Sequence, residues 1–142
     1  MTPTIQTIRD DFSLLDEWED RYRYVIELGE ALPPFPDEQR MQANKVPGCV
    51  SQVWLTTEQG GGVDPVITFK GDSDAHIVRG LVAIMLALFS GRPASEIQRT
   101  DAEATLKALG LDEHLSPQRA NGLRSMVKRI KRDAEAALKQ TA

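Results

Sequence analysis

The sequence predicts a domain of the α+β class, in which a small antiparallel β-sheet, with a hairpin at its core, is packed by several helices. Two helical apolar patterns precede a pair of segments rich in β-branched and aromatic residues, and several helical patterns follow that pair. The chain has 142 residues, which suits one domain with one hydrophobic core. No repeat or internal boundary divides the sequence, so residues 1–142 are predicted to form a single domain.

Two helices are predicted before the sheet. The first begins at Pro3, and its apolar residues recur at helical spacing: Ile5, Ile8, Phe12 and Leu15. The second takes Asp16 as its N-cap, with Glu19 three residues later, and ends at Gly29 because the prolines of "LPPFP" cannot continue a helix. The next segment, "DEQRMQANK", fits either a helical turn or a loop.

The hairpin is predicted from the segments "VSQVWLTTEQ" and "VITFKGD", which the glycine-rich turn "GGGVDP" joins. Ser73 or Asp74 is then expected to cap a helix over residues 75–90. This helix has a wide apolar face, so it is predicted to lie across the sheet in the core. Trp54, in the first strand, is expected to be a core residue.

Three further helices are predicted after the hairpin unit. Two are short, in "SEIQ" and "DAEATLKAL", and Gly110 ends the second. The last helix is long and starts at Ser116-Pro117. It carries a basic cluster that we expect to be a solvated face: Lys128, Arg129, Lys131 and Arg132.

Composition excludes several classes of protein. With 17 Lys and Arg against 21 Asp and Glu, the net charge is −4, which argues against a general nucleic-acid binder. The longest uncharged stretch, residues 80–91, falls well short of the ~20 residues that a membrane span needs, and the first residues resemble no targeting signal. A single cysteine fits a reducing compartment, so we expect a cytoplasmic protein without a membrane partner. One cysteine and two histidines in no clustered spacing predict no metal site.

The lone cysteine stands in "NKVPGCVSQVWL", directly after Pro47-Gly48. Such a turn can present a thiol at a loop tip, although a small residue that merely packs there is an equal alternative. A nucleophilic Cys49 that attacks carbon would need a histidine base, either His76 or His114, as in a cysteine-nucleophile hydrolase. Attack on sulfur needs no such base because the leaving group is itself a thiolate, and a single presented cysteine fits this chemistry better.

Four segments resemble the SufE family of sulfur-acceptor proteins, which includes CsdE. They are "YRYVIELG", "GCVSQVWL", "GDSDAHIVRGLVAIML" and "HLSPQRANGL", in that order along nearly the whole chain. The resemblance implies a fold similar to that of the IscU scaffold proteins. It also implies that Cys49 accepts sulfane sulfur as a persulfide from a cysteine desulfurase of the SufS or CsdA type, stimulates that enzyme, and passes the sulfur on for Fe–S cluster assembly.

The same resemblance implies the other components of the system. Pyridoxal phosphate belongs to the desulfurase, so this chain is expected to need no cofactor and to be a sulfur-transfer accessory protein more than a stand-alone enzyme. A downstream Fe–S scaffold is the second expected partner, and a homodimer is left open. One cysteine cannot supply the ligands of an Fe–S cluster, so the chain is not expected to be a scaffold itself.

Motif matching also assigns residues around Cys49. Asp74 is placed near the acceptor loop, a role compatible with helix capping, and Arg119 is placed on the partner-facing side, where a solvated first-turn residue is the alternative. A positive group near the thiol would favour the thiolate, and Arg119 is the candidate.

The remaining expectations concern the loop itself. Ser51 and Gln52 are expected to donate hydrogen bonds to the sulfur, and Gly48 is the expected hinge of a loop over residues 44–50. A persulfide is labile toward free thiols, so Cys49 is predicted to be partly buried in an apolar hollow until the partner docks.

Overall fold

The computed structural model describes residues 3–49 and 51–140 of the chain. Helices α1 (Ile5–Ser13) and α2 (Trp18–Glu30) come first, and two 3₁₀ turns follow at Asp37–Gln39 and Gln42–Asn44. Strands β1 (Val53–Gln59) and β2 (Val66–Ser73) precede helix α3 (His76–Phe89) and the short strand β3 (Arg92–Pro93). Helices α4 (Ala94–Arg99), α5 (Ala102–Ala108), α6 (Leu111–His114) and α7 (Pro117–Gln140) complete the described part.

The three strands form one antiparallel sheet in the order β1-β2-β3, which confirms the predicted α+β class. The hairpin pairs Val53 with Ser73 at one end and Gln59 with Ile67 at the other. Strand β3 was not predicted. It forms because Gly91, at φ +79°, turns the chain after α3 and its N–H donates to the Ile67 carbonyl at 2.8 Å.

Helix α3 lies at the centre of the hydrophobic core, as its apolar sequence predicts. Leu81, Val82, Ile84 and Phe89 are at most 1% exposed. The core also takes residues from β1, β2 and the buried stripe of α7, among them Leu55, Ile67, Leu123, Met126 and Ile130. Trp54 is 8% exposed, so its predicted place in the core is confirmed. Among the described residues, no helix combines the length and the apolar character that crossing a bilayer requires.

Two predictions about α2 are wrong. Glu17, not Asp16, occupies the N-cap, and its side chain makes no capping hydrogen bond. Gly29 does not end the helix but lies one residue inside it, buried against α3. A β-carbon at Gly29 would stand 2.7 Å from the Gly80 nitrogen, and one at Gly80 would stand 2.0 Å from the Val25 carbonyl oxygen. These two glycines therefore allow the helices to approach closely.

The start of α3 and the basic cluster of α7 also differ from expectation. Ala75 is the N-cap of α3, so neither Ser73 nor Asp74 caps it in the predicted way. In α7, Lys131 is not solvated: its Nζ donates to the Thr100 carbonyl at 2.7 Å and thereby binds the end of α4. Arg129 pairs with Asp133 at 3.2 Å, which leaves Lys128 and Arg132 as the exposed members of the cluster.

Candidate functional site

Cys49 lies on the loop between the second 3₁₀ turn and β1. The Val46 N–H donates to the Val53 carbonyl at 2.8 Å, which fixes the start of the loop to the sheet. Gly48 has φ +87°, a left-handed conformation that favours glycine. A β-carbon on Gly48 would stand 2.6 Å from Ser125 Oγ, so the loop rests directly on α7. Gly48 is thus the point at which the chain turns to direct Cys49 toward that helix.

The Cys49 sulfur is half-buried and faces Gly122 of α7. The thiol donates to the Gly122 carbonyl oxygen across 3.6 Å, an ordinary distance for a weak sulfur donor. Burial raises the pKa of the Cys49 thiol above its usual value, so the neutral thiol dominates at neutral pH. This agrees with the prediction of a partly buried cysteine.

A cavity of about 320 Å³ opens beside the sulfur. Its lining comes from the loop, from α3 and from the first turns of α7. The buried lining residues are apolar or glycine, and the exposed ones at the rim are polar. The lining residues are Cys49, Ser51, Val78, Leu81, Ser116, Gln118, Arg119, Gly122 and Met126. A water molecule occupies about 30 Å³ in the liquid, so a cavity of this volume has room for one added sulfur atom.

Arg119 lines this cavity and is exposed to solvent. Across residues 3–49 and 51–140, its guanidinium has no hydrogen-bond or ion-pair partner, so a cation stands free at the rim. In this conformation burial accounts for the raised pKa of the Cys49 thiol, and the expected lowering of that pKa by Arg119 is not seen. Arg119 is placed to meet an incoming anion at the rim of the cavity.

Asp74 holds the other end of the loop. Its carboxylate accepts from the Gln52 backbone N–H at 3.0 Å and from Gln52 Nε2 at 3.1 Å. The Ser73 hydroxyl donates to the Gln52 carbonyl at 2.7 Å. The prediction that Gln52 donates to the sulfur is therefore wrong, since its side-chain amide is bound to Asp74. Ser51 does line the cavity.

Neither histidine belongs to the site. His114 stacks on Trp18, with ring centroids 4.1 Å apart and 15° between the planes. His76 is exposed at the first position of α3, and neither residue lines the cavity. A hydrolase that attacks carbon would thus lack its histidine base at Cys49, which disfavours that alternative.

Sequence reasoning missed a cluster of charged side chains around the buried carboxylate of Asp72, in β2. Asp72, 6% exposed, accepts from Arg40 Nη2 at 2.6 Å and from Arg79 Nε at 2.8 Å. Burial alone would raise the pKa of Asp72, but the bonds from Arg40 and the Ser73 N–H, with the charge of Arg79, hold it below its usual value. The available signal was an aspartate at the end of the predicted strand "VITFKGD". In the described ranges, no three His, Cys, Asp or Glu side chains form a group that could hold a metal ion.

Comparison with known proteins identifies the family. The model of the family described as "SufE: Fe-S metabolism associated domain" matches residues 6–134. This chain belongs to the SufE family. The four segments that suggested SufE in the sequence all begin within the matched range, and Cys49, Asp74 and Arg119 lie inside it.

Relatives of known sequence cover nearly the whole chain. An uncharacterized SufE-like protein of Rhizobium meliloti is 62% identical over 95% of this chain and 97% of its own length. A second, of Rhizobium etli, is 60% identical over 93% of this chain and 90% of its own length. The sulfur acceptor protein CsdE of Escherichia coli is 40% identical over 91% of this chain and 86% of its own length.

A solved structure supports the fold. The solution structure of a hypothetical protein from Thermus thermophilus is similar to this chain with a TM-score of 0.75, covering 98% of both chains at 18% identity. At that identity the likeness extends to the arrangement of helices and strands, which the SufE-family fold of this chain shares.

Proposed function

We propose that this chain is a sulfur acceptor that takes sulfane sulfur from a cysteine desulfurase as a persulfide on Cys49. One observation carries the proposal: the half-buried Cys49 thiol follows Gly48, a glycine of positive φ, and lines the same cavity as the exposed Arg119. The 40% identical relative in Escherichia coli is named a sulfur acceptor protein, which supports the same function here.

The transfer is an exchange at sulfur without net oxidation. The Cys49 sulfur attacks the outer sulfur of a persulfide on the desulfurase, and a new S–S bond forms as the bond within the donor persulfide breaks. The donor cysteine leaves as a thiolate and takes up the proton that the Cys49 thiol releases. Cys49 then carries the persulfide, and the desulfurase cysteine is free for another turnover, which accounts for stimulation.

The burial of Cys49 sets the order of events. In the resting conformation the thiol is neutral and faces Gly122, so it is a poor nucleophile. Docking must therefore move the part of the loop that bears Gly48 and Cys49 away from α7. The anchors at Val46 and Gln52 remain with the sheet, which limits the motion to the turn between them.

Arg119 gives the partner surface its charge. The guanidinium at the rim attracts a donor persulfide anion that approaches the cavity. The same positive charge favours the ionised form of that persulfide. We assign the donor to a desulfurase of the SufS or CsdA type, whose pyridoxal phosphate stays with that enzyme. A downstream Fe–S scaffold is the proposed receiver, and both steps would take place in the cytoplasm.

The desulfurase reaction itself tests the proposal. With cysteine as substrate, adding this protein should raise the rate of alanine formation, and Cys49→Ser should abolish that increase because oxygen forms no persulfide. Arg119→Ala should weaken the stimulation at every salt concentration, whereas Arg132→Ala, an exposed arginine further along α7, should leave it unchanged. Full stimulation by Cys49→Ser would mean allosteric activation without sulfur transfer and would overturn the mechanism.

A further inference from the structure

Gly122 lies in the first half of α7, a helix of 24 residues. A glycine inside a helix costs about 1 kcal/mol relative to alanine, so it needs a reason. Its backbone supplies none, because the glycines of positive φ are Gly48, Gly62, Gly91 and Gly110. The reason must lie in what a side chain at this position would touch.

Among the described residues, the three atoms nearest to a β-carbon on Gly122 would all belong to Cys49. The β-carbon would stand 3.5 Å from Cys49 Sγ, 3.9 Å from its Cβ and 4.0 Å from its Cα. These are ordinary van der Waals distances, so the resting thiol leaves room for a methyl group. Gly29 and Gly80 are different, since a β-carbon there would stand within 2.7 Å and 2.0 Å of backbone atoms.

A persulfide removes that room. The outer sulfur stands about 2.05 Å from Sγ, so an outer sulfur that lies alongside α7 at residue 122 would be closer to a β-carbon there than van der Waals contact allows. Without that side chain, the outer sulfur can lie beside the helix backbone in the cavity of about 320 Å³ that Gly122 and Cys49 both line. Val78, Leu81 and Met126 wall the cavity with apolar groups, which would keep water and soluble thiols away from the sulfur.

We propose that Gly122 is a positioning residue that leaves space for the outer sulfur of the Cys49 persulfide, stored against α7. This inference rests on the proposed function, because it needs a persulfide on Cys49. The glycine keeps the space between Sγ and the helix backbone free of a side chain, and the stored sulfur is protected from other thiols until the loop moves. The resting thiol needs no such space.

Gly122→Ala tests the proposal on protein loaded without any desulfurase. In inorganic polysulfide, the Cys49 thiolate attacks a polysulfide sulfur, an S–S bond forms on Sγ, and a polysulfide one sulfur shorter leaves. Glutathione is then added: its thiolate attacks the outer sulfur, the bond to Sγ breaks, and glutathione persulfide and the Cys49 thiolate form. Intact-mass spectrometry follows the loss of one sulfur atom from the protein with time.

We expect Gly122→Ala to lose its sulfur at least about fivefold faster than the parent protein, or to resist loading altogether. The unloaded variant should react with iodoacetamide no faster than the parent, and its melting temperature should be equal or higher, since alanine favours the helix. Asn121→Ala is the matched control: this exposed neighbour also gains helix preference but does not line the cavity. Its persulfide lifetime should equal that of the parent protein.

Equal persulfide lifetimes in Gly122→Ala and the parent would overturn the proposal. So would faster alkylation of the unloaded variant, which would indicate a loosened loop and not a lost storage space. Failure of the proposed function gives another result: the parent protein would take no sulfur from a desulfurase, while the polysulfide-loaded proteins would still differ in lifetime.

Discussion

Gly48→Ala should expose Cys49 by destabilising the conformation in which the loop rests on α7. Gly48 holds φ +87°, where an alanine is strained, and the added β-carbon would stand 2.6 Å from Ser125 Oγ. That oxygen ends a short flexible side chain, which can rotate away at little cost. The backbone penalty therefore dominates, at about 1–2 kcal/mol for an L-residue in a left-handed conformation.

This penalty acts on the resting loop and is relieved when the loop leaves α7. A change of 1–2 kcal/mol shifts the ratio of the two conformations by about 5- to 30-fold. The rate of Cys49 alkylation by iodoacetamide at fixed pH should rise toward that factor. Since the chain has 1 cysteine, a single mass adduct reports the reaction.

Gly91→Ala is the matched control for backbone strain. Gly91 has φ +79°, and nothing lies within 4 Å of the β-carbon it would gain, so the variant carries the same penalty in the turn before β3. Urea unfolding should show similar losses of stability in both variants, while only Gly48→Ala accelerates alkylation. Parent-like alkylation of Gly48→Ala would refute the reasoning, and equal acceleration by Gly91→Ala would trace the exposure to global unfolding.

Three further predictions follow from the charges and the burial. Burial raises the Cys49 pKa, so the alkylation rate of the folded protein should reach half its maximum at a higher pH than that of the urea-unfolded chain. The folded protein then holds the Cys49 proton more tightly than the unfolded chain does. The resulting contribution to the free energy of unfolding is complete below the unfolded pKa of about 8.5 and is lost as pH rises through the folded pKa. Urea titrations of the parent protein and of Cys49→Ser at several pH values can measure this contribution. Arg119→Ala should leave the alkylation midpoint unchanged, because burial and not this cation sets it; a shifted midpoint would contradict that. Asp72→Asn should lower the free energy of unfolding by about 2 kcal/mol, because it removes the negative charge that accepts the hydrogen bonds from Arg40 and Arg79. The pKa of Asp72 is held low, so the parent protein should lose this advantage as pH falls through that pKa, and an unchanged acid profile in the variant would count against the assignment.

The elements found from sequence are those whose signal is local. The hairpin follows from β-branched segments around three glycines, and α3 follows from an apolar run with a helical face. The sequence predicts a helix end at Gly29 because glycine often follows the last turn of a helix. Its actual role is contact with Gly80, a residue 51 positions away that no local pattern connects to it.

In the candidate site too, the sequence predicts the residues that belong to a local pattern and misses the contacts between distant parts of the chain. Cys49 and Gly48 are recognisable because a lone thiol after Pro-Gly is a local pattern, and Gly48 does hold a positive φ. The importance of Gly122 depends on its contact with Cys49, which lies 73 positions earlier in the chain, so no local pattern indicates it. Nearness in sequence predicts a hydrogen bond from Gln52 to the sulfur, but the side-chain amide of Gln52 donates to the Asp74 carboxylate, a stronger acceptor.

The most direct test of the central claim is intact-mass spectrometry of this protein after incubation with a cysteine desulfurase and cysteine. We expect a mass gain of one sulfur atom, placed on Cys49 by peptide analysis, removed by a reducing thiol, and dependent on both desulfurase and cysteine. Cys49→Ser should gain nothing. A parent protein that stimulates the desulfurase yet never carries the added sulfur on Cys49, even when sampled within a single turnover, would contradict the assignment of Cys49 as the sulfur acceptor.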